Sequence, residues 1–119
     1  SKEELLKNSD IVTLHTPLDD STRGMLNFER LSLMKSDAIL INIARGDLVD
    51  EIALKKMLMS GKLSGAAFDV FATEPPVDKE LLELSNFIVT PHIGGSSKEA
   101  ILAMGRAAIF GLEADESSK

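Results

Sequence analysis

Arg45, Asp69, Glu74 and His92 are the side chains of this 119-residue chain whose chemistry could be used together. An arginine can hold a carboxylate through two parallel hydrogen bonds. A histidine can give or take the proton of a hydroxyl or carbonyl oxygen. A glutamate beside it orients the imidazole and raises its pKa, keeping it protonated when it must act as an acid. An aspartate can accept a hydrogen bond from a carboxamide. Together they are equipment for interconverting a carbonyl and a hydroxyl next to a carboxylate. Each also has a plain structural reading. Arg45 could be a solvated loop charge paired with Asp47, and Glu74 an exposed loop carboxylate. His92 could satisfy a turn, Asp69 could cap a turn or helix, and Gly94-Gly95 could only make a tight bend. His15, at the end of an apolar run, reads as structural.

Placement bears on these readings, and placement follows from the elements. Residues 1–8 read as a short helix, with Ser1 as N-cap and Glu4 completing a capping box. Residues 10–15 read as a strand that Pro17 ends, because proline donates nothing to a ladder. Residues 19–24 read as a turn or one helical turn, and Asn27 caps a helix running through Leu31, Leu33 and Met34. Residues 38–43 are nearly all apolar, as in a parallel strand covered on both faces. A loop at 44–47 leads to a helix over about 50–60, with Leu54, Met57 and Leu58 on one stripe and Gly61 stopping it. Residues 65–69 make a third strand, 73–76 a proline-stiffened loop, 81–84 a short helix and 87–90 a fourth strand. A final helix with an apolar stripe at Ala100, Ile101, Met104, Ala107 and Ala108 precedes a polar tail at 113–119.

Four short apolar strands separated by helical segments mean crossover connections and a mainly parallel α/β sheet. Ligands of such sheets bind beyond the C-terminal ends of the strands. Arg45, Glu74 and His92 each follow a different strand on that edge, which strengthens the joint chemistry and leaves the separate structural readings open.

Composition narrows the partners. The chain carries 13 Lys and Arg against 19 Asp and Glu, a net charge of −6, which argues against a phosphate-neutralising nucleic-acid face. A dinucleotide is compatible, since backbone N–H groups can hold its phosphates. With no cysteine, disulfides, thiolate nucleophiles and cysteine-held zinc are excluded, and a reducing, cytoplasmic setting is expected. No apolar run approaches the roughly 18 residues a membrane span needs.

Four motifs in register give a resemblance covering the chain to about Arg106. They are SDIVTLHTPL at 9–18, LMKSDAILINIARGDLVD at 33–50, GAAFDVFATEP at 65–75 and TPHIGG at 90–95. This set resembles the D-isomer-specific 2-hydroxyacid dehydrogenases. The resemblance implies a partial Rossmann-like parallel sheet, the second half of a dinucleotide-binding domain. It implies hydride transfer between NAD, with NADP left open, and a 2-keto or D-2-hydroxy acid. It assigns Arg45 to the substrate carboxylate, His92 to acid/base catalysis and Glu74 to its partner. Thr16 and Pro17, Ile43 and Ala44, Asp69, and Gly94 and Gly95 fall at cofactor-contacting positions, which Arg45 and His92 share.

The family's Gly-x-Gly-x-x-Gly loop and the acidic residue after it find no counterpart among residues 1–119. The glycine-rich half and the substrate domain are therefore expected elsewhere in a parent enzyme, a homodimer by resemblance. The isolated chain is expected to bind NAD weakly or not at all, and not to turn over. Half a sheet should also expose apolar surface and an edge. The alternative from another class is a dinucleotide-sensing, corepressor-like binding protein of the same fold.

Overall fold

The computed structural model describes residues 1–90. Its centre is a four-stranded sheet of β1 (Ile11–Leu14), β2 (Ile39–Asn42), β3 (Gly65–Phe68) and β4 (Phe87–Val89). The strands lie in the order β1-β2-β3-β4 and every pairing is parallel. This is the expected parallel α/β sheet. The final helix and the polar tail lie outside the described residues.

Helix α1 (Lys2–Asn8) starts at Ser1, whose Oγ accepts the Glu4 N–H at 3.2 Å. Helix α2 (Phe28–Leu31) starts at Asn27, whose side chain accepts from Arg30 N at 3.0 Å. It is shorter than the expected helix through Met34. Leu33 N and Met34 N bond back to Arg30 and Leu31 at 3.1 Å, so the chain tightens into three-residue turns. Met34 is still buried.

Helix α3 (Glu51–Met59) is capped by Asp50, which accepts from Ile52 N and Ala53 N, each at 3.1 Å. Gly61, at φ 74°, turns the chain away in a conformation side chains resist, and Leu63 N reaches back to Met57 O at 3.2 Å. Helix α4 (Lys79–Leu82) is capped by Asp78. Lys55 of α3 bridges Asp78 at 3.2 Å and Glu80 at 3.1 Å, tying the two helices together.

Among the described residues β2 is covered on one face and not on both as expected, for a topological reason. Strands laid down in sequential order, each joined by a crossover of the usual right hand, receive all their helices on one side. Burial therefore alternates. Val12, Leu14, Leu40, Ala66, Phe68 and Phe87 point into the core with Leu31, Leu48, Leu54, Met57 and Leu63. Ile11, Ile39 and Ile88 share the opposite face and are exposed by 59%, 39% and 66%. The apolar face expected of half a sheet is thus present among the described residues.

Phe68 at the end of β3, Phe71 beyond it and Phe87 at the start of β4 form a ring cluster with centroids 5.4 to 6.1 Å apart. These are distances at which tilted and edge-on rings attract.

Candidate active site at the C-terminal edge of the sheet

Two concave regions open beyond the strand ends. One, about 480 Å³, is lined by His15, Thr16, Pro17, Leu18, Ala44 and Arg45, beyond β1 and β2. The other, also about 480 Å³ and largely apolar, lies beyond β3 and β4, with Asp69, Phe71, Glu74, Val89 and Thr90 among its walls. The structure therefore gathers Thr16, Pro17, Ala44 and Arg45 into one cleft, and Asp69 and Glu74 into the other. Ile43 is half exposed at the end of β2. His92, Gly94 and Gly95 lie outside the described residues.

The Arg45 loop is shaped from below by Asn42, the last residue of β2. Its side chain is fully buried, accepts Ala44 N at 3.1 Å and donates to Arg45 O at 3.0 Å. One amide thus satisfies two loop groups and holds Arg45 in an extended conformation. The Arg45 side chain is exposed, with Nη1 on Ala44 O at 2.7 Å. Asp47 is bridged by Arg23 at 2.7 Å, rather than by Arg45. Gly24 N also bonds Asp47 O at 2.7 Å, so the segment after β1 is pinned to the loop after β2.

The loop after β3 is organised by carboxylates. Asp69 is buried, its N–H continues the ladder to Asn42 O at 3.0 Å, and its Oδ1 accepts from the Thr90 hydroxyl. Glu74 Oε1 accepts Phe71 N at 3.1 Å. Glu51, from the first turn of α3, accepts Ala72 N at 2.7 Å. Burial raises the Glu51 pKa, and nearby Asp47, Asp78 and Asp50 add to the rise, against the opposing bond from Ala72. His15 Nε2 meets Thr13 Oγ1 at 3.1 Å at the mouth of the first cleft.

The two loops meet at Gly46. A Cβ there would sit 1.9 Å from Phe71 C and 2.2 Å from Ala72 N, both backbone atoms. Asn42, Gly46, Glu51 and Thr90 were missing from the sequence-based set. Asn42 did carry a signal, as a polar residue ending an apolar strand. Gly46 and Glu51 carried none, since their partners lie 20 or more positions away.

A parallel sheet with polar loops and open clefts along its carboxyl edge defines a ligand-binding α/β domain of the nucleotide-binding kind. Residues 1–94 match the model of the D-isomer specific 2-hydroxyacid dehydrogenase NAD binding domain. The chain belongs to that family.

It is 47% identical to a glycerate dehydrogenase from Methylorubrum extorquens, over 98% of this chain and 38% of the relative. It is 53% identical to a glyoxylate reductase from Pyrococcus furiosus, over 86% of this chain and 30% of the relative. The NAD-complexed D-isomer specific 2-hydroxyacid dehydrogenase from Lactobacillus delbrueckii ssp. bulgaricus superposes with a TM-score of 0.85 at 34% identity. That match covers 98% of this chain and 40% of the other. The chain thus spans two-fifths or less of the length of these relatives. The comparisons favour the dehydrogenase reading over the corepressor-like one. No helix among the described residues is long and apolar enough to cross a membrane.

Proposed function

We propose that this chain forms the substrate-carboxylate and nicotinamide side of an NAD(P)-dependent enzyme interconverting a 2-keto acid and a D-2-hydroxy acid. The observation that carries the proposal is Arg45 on the rim of an open cleft at the carboxyl edge, on a loop fixed from below by a buried amide. There a guanidinium can hold a small carboxylate in a set orientation. Thr16, Pro17, Ile43 and Ala44 offer a hydroxyl and main chain along the same cleft, which suits a ribose. Asp69, buried beyond β3, suits the nicotinamide side, as do Gly94 and Gly95.

A nicotinamide held by these residues would supply or take the hydride. His92 gives the proton to the carbonyl oxygen in reduction and takes it back in oxidation. Glu74 holds His92 in the protonated, correctly turned form. The parent enzyme is proposed to be a cytoplasmic homodimer.

The test is a chimera in which these 119 residues replace the matched segment of the Methylorubrum glycerate dehydrogenase. NADH-dependent reduction of a small 2-keto acid is expected. His92→Ala should lower kcat by about a hundredfold or more. Arg45→Ala should lower kcat/KM for the keto acid about as much, with NADH binding retained. If His92→Ala raises only KM and leaves kcat intact, the acid/base assignment falls. A folded chimera that binds NADH without turnover would sink the proposal as a whole.

A further inference from the structure

We propose that Glu51 is a positioning residue, its carboxylate fastening the Glu74 loop to the helix that follows the Arg45 loop. The inference rests on the functional reading of Arg45 and Glu74 given above. Glu51 stands in the first turn of α3, immediately after the cap Asp50. The chain between it and Arg45 is short and itself ordered, through a 3-10 turn at Gly46–Leu48 and a bridge from Val49 to Leu26. A group held by Glu51 is therefore held in register with Arg45.

What Glu51 holds is Ala72 N, at 2.7 Å. The neighbouring amide, Phe71 N, is held by Glu74 itself at 3.1 Å. Two consecutive N–H groups of one loop are thus taken by two carboxylates, one from inside the loop and one from α3. Between them the peptide of Phe71 and Ala72 lies against Gly46, where even a methyl group would overlap the backbone. Gly46 sets how closely the loops approach, and Glu51 supplies the attraction that keeps them there. The half-buried carboxylate has given up part of its hydration for this contact. An exposed helix-start glutamate would have had no such loss.

The consequence is a division of labour. Arg45 would hold the substrate, Glu74 the acid/base histidine, and the separation of the two would be set by Glu51 and Gly46, which touch neither substrate nor cofactor. Small displacements of reacting groups cost large factors in rate, so releasing the tie should reduce kcat more than it weakens binding.

Two measurements on the same variants test this. In the 119-residue chain, Glu51→Ala should speed hydrogen exchange at the Ala72 amide about tenfold or more, with core amides such as Leu40 and Leu54 unchanged. Glu51→Gln, which keeps an acceptor in place, should restore most of the protection. In the active chimera, Glu51→Ala should lower kcat about tenfold or more with the NADH dissociation constant unchanged, and Glu51→Gln should recover most of it. If Glu51→Ala does not fold, Glu51→Asp withdraws the acceptor by one methylene and should shift both readouts the same way. Unchanged Ala72 exchange overturns the tie. An unchanged kcat, or a Gln variant as poor as the Ala variant, overturns the positioning role. A parent chimera without turnover would sink the functional reading instead, and the exchange result would still decide whether Glu51 fastens the loop.

Discussion

The loop after β2 and the loop after β3 face each other across Gly46, yet they are held by opposite means. Around Arg45 the first is fixed by neutral groups, and its one carboxylate, Asp47, is taken up by Arg23. A buried amide, Asn42, satisfies Ala44 N–H and Arg45 C=O, and a glycine lets the backbone approach its neighbour. The second is fixed by carboxylates, with Glu74 and Glu51 taking consecutive N–H groups and Asp69 taking the Thr90 hydroxyl. The difference fits the proposed tasks. A loop that presents a cation to a substrate carboxylate gains from having its own carboxylate, Asp47, paired with Arg23 and not with Arg45. A loop that must stabilise a protonated histidine gains from negative charge.

The strongest way to break the comparison is at the contact itself. Gly46→Ala puts a methyl group into the Phe71 and Ala72 backbone, so the loops must part or the fold must strain. A loss of about 3 kcal/mol is expected in urea unfolding of the chain, typical of an overpacked core position. Next comes Asn42→Ala, which affects only the neutral side. It leaves Ala44 N–H and Arg45 C=O without their buried partner, for an expected loss of about 2 kcal/mol.

The smallest and most discriminating test is the pH dependence of stability. Glu51 is raised above its ordinary pKa by burial, so its ionised form is disfavoured in the fold. The stability linked to it is fully present below the unfolded value near 4.5 and is lost as pH rises through the folded value. Asp78 is the opposite case, lowered by its bond from Leu81 N and by Lys55. Its contribution is present above the unfolded value near 3.8 and is lost as pH falls through the folded value. Relative to the native chain, Glu51→Gln should therefore gain as pH rises from 4 to 7. Asp78→Asn should fall behind only below that range, as pH rises from the folded value toward about 3.8, and hold a constant deficit from 4 to 7. Denaturant midpoints at several pH values would show parallel curves if neither carboxylate matters.

Much of this was legible in the sequence because it depends on near neighbours. Ser1, Asn27 and Asp50 sit at the helix starts they were suited to cap, or, for Asp50, at the very start of the expected helix. Pro17 and Gly61 fall where strand and helix stop. The runs at 10–15, 38–43, 65–69 and 87–90 became four parallel strands, each a residue or two shorter than read. Placing Arg45 and Glu74 beyond strand ends needed only this alternation.

What escaped depends on contacts between distant segments. Gly46 looks like any loop glycine until Phe71 is brought against it. Glu51 looks like a first-turn glutamate until Ala72 N–H arrives. The apolar run of β2 suggested cover on both faces, because a sequence pattern records what a strand can bury and the topology decides on which side the helices lie.

The phenylalanine cluster under the second cleft has a practical consequence. The chain contains no tryptophan and no tyrosine, so its near-ultraviolet circular dichroism comes from phenylalanine alone. Three of its five phenylalanines, Phe68, Phe71 and Phe87, are locked in mutual contact. Phe71 is also the residue whose N–H Glu74 holds. Loss of fine structure in that spectrum, with the far-ultraviolet signal intact, would report release of this loop in a native, unlabelled chain.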